Sequence, residues 1–504
     1  SAFICVPSNH MNSAPESQVR ILIHCPQCGG DIDFLEEAQV IQCQFCGSSL
    51  LVVGREGILR YVLPAQVHDA QAAAARALEA LKSAGKSPPQ TLQTFLFHAP
   101  FWRMRGTVYR WIFGLKPMKV EIEAGVPPPM ERLKVLLTRV LDHTIPGYAG
   151  LEIGLTTLGV RAQALRLRPF GREDLEKRDS FLPLEISSEQ VQAEADRFSN
   201  LFFEAGELAP EVILHRLVGK SFSVIYFPLW YIEYRNGGGQ KSLLLDGVGG
   251  SIIGPLPDGS GIQEKLKGEE SRKSFEFREI RFLPFRCPNC GWGFPFRPLS
   301  VLHFCSNCRR LFRESRGEWA ENGYSVIPPP GGQSWEKLLW VPFWRCRTVL
   351  ESNGEHMESM AGLYQFAPPL RVVKPEEAQR PIYFYIPAVK FRSPQVLHTL
   401  ASRLTYIQPE IRPGSFPDGS HPVTAGGSLP DVDALEMGPV ILGALIPQAS
   451  QKARSWLKGC QIDLREPQIL YFPFVQADLF WKELSTGISF QRNALSEDLP
   501  ESSG

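Results

Sequence analysis

Apolar and polar positions along this chain fall mostly into short alternating runs that read as strands, and only a few stretches carry the period of a helix. Apolar runs at residues 20–23, 40–41 and 50–53 flank paired cysteines and suit short hairpin strands. Residues 58–63 predict another strand. It leads into an Ala-rich helix over about 69–84, with Asp69 as N-cap and Gly85 placed for a left-handed stop. Ser187-Ser188-Glu189-Gln190 reads as a capping box opening a helix to about Glu204. Ser393-Pro394 opens another through Leu404, with Pro at the first helical position, and 448–458 predicts a last helix ending at Gly459. The charged stretch 257–278 reads as a connector, and the Pro-, Gly- and Ser-rich stretch 408–433 as a long loop.

One strand pattern recurs. Ala99-Pro100-Phe101-Trp102, Phe227-Pro228-Leu229-Trp230 and Val341-Pro342-Phe343-Trp344 share the order apolar, Pro, apolar, Trp. Leu63-Pro64-Ala65, Leu283-Pro284-Phe285, Ile386-Pro387-Ala388 and Phe472-Pro473-Phe474 are relatives without the Trp. A strand proline cannot donate to the ladder, which predicts an edge, a bulge or a strand start for each. Arg103, Arg105, Arg345 and Arg347 follow two of the Trp residues at alternating positions, so one strand face turns polar there.

The cysteines carry the chemistry. Cys25, Cys28, Cys43 and Cys46 read C-x2-C-x14-C-x2-C, and Cys287, Cys290, Cys305 and Cys308 repeat that spacing. Each C-x2-C puts two sulfurs on one tight turn, and two such turns close a tetrahedron around a metal with no open position. The expectation is two structural Zn2+ sites, with iron the chemical rival for a tetrahedron of sulfurs. His24 and His303 lie beside the cysteines but are surplus to four thiolates.

Charge then separates the two arrays. The whole chain is balanced, with 53 basic and 53 acidic residues, so no global field draws it to nucleic acid or anionic membrane. Residues 20–57 set Arg20 and Arg55 against Asp31, Asp33, Glu36, Glu37 and Glu56. Residues 281–316 set seven arginines against Glu314 alone. The second array could therefore contact phosphates through Arg309, Arg310 and Arg313, with Trp292 available for stacking.

Enzyme motifs fail on inspection. Gly219-Lys220-Ser221 has Leu214 where a phosphate-binding loop needs its first Gly, and Gly85-Lys86-Ser87 has Ala80 there. No G-x-S-x-G or H-E-x-x-H is present, and the remaining histidines show no ligand spacing. Cys346 and Cys460 read as core fillers. No apolar run reaches the length of a membrane span, although peripheral association stays open. The first nineteen residues lack the pattern of a signal peptide and are expected to be disordered. With thiols spaced for metal rather than disulfides, a cytoplasmic location is expected.

The C-P-x-C-G turn at Cys25–Gly29, its partner at Cys43–Gly47, the strand and helix over 61–84, Phe227-Pro228-Leu229-Trp230 and the D-G-x-x-G hairpin over 245–254 resemble bacterial TFIIB-type zinc-ribbon-containing proteins. Some members of that group carry a primosomal-helicase label, which this chain does not support, since it lacks the ATP-binding loop. The resemblance implies an accessory role beside membrane-associated or scaffold proteins and supplies no substrate. The second array and the C-terminal extension depart from the simpler pattern.

The expected architecture is α+β and multidomain: a first zinc ribbon (20–57), an α+β domain (58–278), a second ribbon (279–316), a second α+β domain (317–494) and a tail (495–504). The expected function is a non-enzymatic zinc-binding adaptor or scaffold with protein partners. A nucleic-acid-binding accessory factor using the Arg-rich second ribbon is the alternative.

Overall fold

The computed structural model describes residues 19–54, 58–83, 90–118, 127–148, 166–177, 180–201, 209–236, 239–256, 262–267, 280–352, 354–369, 372–447 and 451–496. Cys5, Arg55, Glu56, the Gly85-Lys86-Ser87 segment, the expected helix ends at Ala84 and Glu204, residues 448–450 and most of the 257–278 connector lie outside them. The described chain is mixed α+β, mostly strands.

In the first half, β1 (Arg20–His24) pairs antiparallel with β2 (Asp31–Leu35), and β3 (Val40–Gln42) with β4 (Ser49–Val53). β5 (Leu59–Val62) leads to the Ala70–Ser83 helix, where the Asp69 carboxylate accepts the Gln71 and Ala72 amides at 3.2 Å each. Ala73, Ala77 and Leu81 recur at four-residue spacing, so one helical stripe packs on Trp230 and Ile232. The expected capping box forms as well. Ser187 N–H donates to Gln190 Oε1 at 2.9 Å, and Gln190 N–H to Ser187 Oγ at 3.4 Å.

β6 (Gln90–Pro117), β7 (Met130–Pro146), β8 (Arg166–Pro169), β9 (Ala209–Asn236), β10 (Gly239–Asp246) and β11 (Ile252–Pro255) complete a sheet with β1, β2 and β5. β6 and β9 are 28 residues each and run antiparallel along most of their length. Their register shifts where Arg105 and Thr107 face Ser221 and Val218, and Gly219 takes a φ of +67° there. That left-handed bulge needs glycine, and the Gly-Lys-Ser tripeptide thus lies within a strand rather than at a helix start.

β12 (Arg281–Pro284) opens the second half by pairing antiparallel with β4, far back in the chain. β13 (Leu302–Phe304), β14 (Leu311–Ser315) and β15 (Glu318–Asn322) form a three-stranded sheet. β16 (Tyr324–Val326), β17 (Leu339–Ser352), β18 (Glu355–Met357), β19 (Tyr383–Pro387), β20 (Val423–Thr424), β21 (Gln461–Ala477), β22 (Phe480–Glu483) and β23 (Ser489–Gln491) form another sheet.

Several pairings occur in both halves. β5 lies parallel to β9, and β16 parallel to β21. Each of β9 and β21 has a long antiparallel partner, β6 and β17, and then continues as an antiparallel ladder. The turn after Asp246 is closed by Gly250 N–H to Asp246 O (2.8 Å) and Asp246 N–H to Ser251 O (2.9 Å). Gly487 N–H to Glu483 O (3.1 Å) and Glu483 N–H to Ile488 O (2.8 Å) close the turn after Glu483 in the same way.

The Pro-x-Trp strands correct one expectation. Pro100, Pro228 and Pro342 are not in edge strands but inside β6, β9 and β17, long inner strands of their sheets. Each stands where its strand changes neighbour on one side. Pro228 falls between the β5 pairing, which ends at Tyr226, and the β10 pairing, which begins at Leu229. Pro342 falls between β20 and β19, and Pro100 just beyond the end of β7. The missing N–H points into that gap, so no ladder bond is lost. Each proline carbonyl still accepts one amide on that side, from Gly147, Gly247 and Ala388 respectively. The three tryptophans also share one arrangement: Trp102, Trp230 and Trp344 donate Nε1–H to the carbonyls of Ile186, Val67 and Leu429, at 2.9 Å each.

The 408–433 stretch is not a free loop. Phe416, Ala425 and Leu429 are buried, β20 pairs with β17, and the Asp431–Glu436 helix begins before the stretch ends. The two halves pack together: Trp111 donates to Val440 O at 2.8 Å, Lys134 to Ala444 O and Ile446 O at 2.7 Å each, and Arg454 pairs with Glu211 at 3.0 Å.

Candidate metal centres

All eight predicted ligands come together as two groups of four. Within each group the sulfurs lie within 4.8 Å of one another. Cys25 and Cys46 are 3.8 Å apart at Sγ, Cys28 and Cys43 3.6 Å, Cys287 and Cys308 3.6 Å, and Cys290 and Cys305 3.5 Å. A tetrahedron with metal–sulfur bonds of about 2.3 Å has edges of about 3.8 Å. A disulfide needs about 2.05 Å. The spacing therefore fits a tetrathiolate metal and excludes S–S bonding.

The backbone explains why these sequences produce that spacing. In all four turns the residue four beyond the first cysteine donates to that cysteine's carbonyl, at 2.8–2.9 Å. The cysteine amide in turn donates to the carbonyl five residues on: Gly30, Ser48, Trp292 and Arg310. The closing residue sits in left-handed space, at Gly29, Gly47 and Gly291 in three turns, and at Arg309 (φ 56°) in the fourth. The three glycines are legible signals. The arginine breaks the rule and costs about 1 kcal/mol or more of strain.

The exposed thiols do not behave alike: Cys46 and Cys290 are drawn down, while at Cys28 the Gly30 amide is outweighed by desolvation and the neighbouring cysteine sulfurs, which push the thiol up to about 12. The Ser48 hydroxyl and amide draw Cys46 down to about 6, and the Asn307 side chain and the Trp292 amide draw Cys290 down to about 6. Burial pushes Cys287 and Cys305 up. Bound metal would supply the positive charge that keeps the inner pair as thiolates.

Neither nearby histidine joins a cluster. His24 pairs with Asp31 at 2.8 Å on the surface. His303 is buried among Phe285, Phe294 and Trp319, and that burial lowers its pKa to about 3. It also lines a cleft of about 170 Å³ with Gln39, Leu51, Ser300, Trp344 and Asp431.

The proposed nucleic-acid contacts are engaged within the chain. Arg309 pairs with Asp418 at 2.8 Å, Arg310 with Glu321 at 3.1 Å, and Arg313 with Asp431 at 2.8 Å. Trp292, in contrast, is 56% exposed, and Phe45 in the first cysteine group is 65% exposed. Phe45 sits on the turn just before β4, and Trp292 directly after the turn that follows β12. The β4–β12 pairing thus brings both rings to the same end of one sheet.

An ion-pair network not legible in the sequence ties the first cysteine segment to β6. Arg103 donates to both Asp142 oxygens, at 2.9 and 2.8 Å, and to Glu36, while Arg105 pairs with Glu37. Burial opposes the Arg103 charge, but Asp142 and Glu36 outweigh it and hold the guanidinium above its ordinary pKa. The alternating Arg-x-Arg after Pro-x-Trp is the available signal; its partners lie too far away in sequence to be named from it.

Ser199 Oγ and His215 Nε2 lie 2.7 Å apart; the Asp196 carbonyl accepts the Ser199 hydroxyl at 2.8 Å, and Arg110 Nε lies 3.4 Å from His215 Nδ1. Among the described residues, no helix is long and apolar enough to cross a membrane.

Fold and site together define a mixed α+β protein with two four-cysteine groups able to hold metal. No protein-family model, curated protein or solved structure matches the chain.

Proposed function

We propose that the chain is a non-enzymatic zinc-binding adaptor, in which two tetrathiolate zinc ribbons present an aromatic surface to a protein partner. The supporting observation is the contrast at the clusters: Arg309, Arg310 and Arg313 spend their charge on Asp418, Glu321 and Asp431, while Phe45 and Trp292 remain exposed. Exposed aromatics beside a rigid scaffold are the residues that anchor protein interfaces. Closed tetrathiolate sites give such a surface rigidity without offering a position for substrate. The repeated pairing around β9 and β21 fits descent of the two halves from one duplicated unit. In this reading the protein works in the bacterial cytoplasm as a subunit of a larger assembly.

The test is affinity purification of the tagged protein from its native cells after nuclease treatment, at low and high salt, for wild type and for Phe45→Ala/Trp292→Ala. A stoichiometric protein partner that survives high salt and is lost from the double variant supports the adaptor. Retention of nucleic acid, with affinity falling steeply as salt rises, would replace it with the accessory-factor reading.

A further inference from the structure

We propose that the two four-cysteine groups load metal as one coupled unit, each raising the other's affinity, an inference that rests on the zinc reading above. The chain leaves the first group through β4 and, after β5 to β11, returns as β12 along the open edge of that strand. Phe285, two residues before Cys287, donates its amide to Ser49 O at 3.2 Å. From the other side, the Pro298 carbonyl, inside the second array, accepts the Gln39 and Val40 amides at 2.6 and 3.1 Å. The backbone of each cysteine segment is thus partly satisfied by the other.

The apolar interior is also shared. Leu51 and Val53 of the first segment belong to one buried cluster with Phe285 and Phe312 of the second, and that cluster includes the ligands Cys287 and Cys305. A segment of this size cannot bury enough apolar surface to fold alone, and beyond its packing on the rest of the chain it gains ordering free energy from the metal. Metal in the first group orders β4, and β4 is half of the surface on which Cys287 and Cys305 are positioned. Loading either site therefore prepays ordering that the other requires, and the coupling is reciprocal by linkage.

Co2+ is the probe, read by the visible absorption of tetrahedral thiolate-bound cobalt, on the full chain stripped by chelator under reducing conditions. Cys28→Ser/Cys46→Ser disables the first site through its two exposed ligands, and Cys290→Ser disables the second. Competition against a chelator should show the remaining site weakened about 5- to 150-fold, by the same factor in either direction. Val53→Asp keeps all eight thiols and should split a single steep wild-type titration into two phases. Unchanged affinity at the remaining site in both knockouts, or two independent phases in the wild type, overturns the coupling while leaving the metal reading intact. No tetrahedral spectrum in any variant overturns the metal reading itself, and the coupling with it.

Discussion

Replacing Arg103 by Met tests whether the ion-pair network holds the first cysteine segment on the long strands. The Arg103 side chain is 3% exposed, with Glu36 at 10% and Asp142 at 22%. Two charges about 4 Å apart attract by about 4 kcal/mol at an effective dielectric of 20. Much of that gain is offset by the desolvation of all three groups. Removing the cation leaves two carboxylates that water reaches poorly with the longer contacts to Arg105, at 3.8 Å from Glu36 and 4.0 Å from Asp142, so the cost should fall at the lower end of the about 3–5 kcal/mol for breaking a buried pair. Arg103→Lys should fall between, because an ammonium cannot reproduce the two-pronged contact with Asp142. The assay is urea unfolding followed by tryptophan fluorescence, with midpoints compared at a common slope. The informative control is Arg103→Met/Glu36→Gln/Asp142→Asn. With those carboxylates neutralised, at the loss of their longer contacts to Arg105, it should recover part of the loss. An Arg103→Met cost below about 1 kcal/mol, the range of a solvent-screened pair, would refute the reasoning. So would a triple variant no more stable than the single one.

Arg309→Gly relieves a left-handed backbone at the loss of a pair with fully exposed Asp418, and should stabilise the second cysteine segment by about 0.5–1 kcal/mol in thermal unfolding. Burial draws Lys134 down to about 7. The unfolded chain keeps that proton up to the ordinary lysine value, so stability should rise with pH from about 7 toward 10.4 and level off above it. Lys134→Met should flatten the rise, which paired pH titrations of urea midpoints would show. Trp344→Phe removes the bond to Leu429 O, leaves a buried carbonyl without its donor, and should cost about 1–3 kcal/mol in the same assay. Chelation of the wild type under reducing conditions should raise hydrogen exchange in β4 and β12 together, as mass spectrometry can resolve.

What was legible in the sequence follows the range of each signal. The cysteine turns, the Asp69 cap and the Ser187–Gln190 capping box act within a few residues, and they stand where the spacing placed them. The strand prolines were legible as strands but not as inner ones, because the gap that excuses a missing N–H is created by where two other strands stop and start. The arginines at 309, 310 and 313 read as a basic surface, since their carboxylates at 418, 321 and 431 come together only through folding. The 408–433 stretch looked like a linker by composition. Phe416, Ala425 and Leu429 were the apolar residues that argued otherwise.

The return of β12 to β4 also sets a clock on synthesis. Between Val53 and Arg281 lie roughly 230 residues, which at translation rates of about 5–20 residues per second take on the order of 10–50 s to emerge. For that interval Leu50, Leu51, Val52 and Val53, all buried in the finished protein, form a nascent apolar edge without its final neighbour. An uncovered edge of that kind invites mispairing with other chains. The first cysteine segment is thus finished well after it is made, and chaperone demand on β4 during translation should persist until β12 leaves the ribosome.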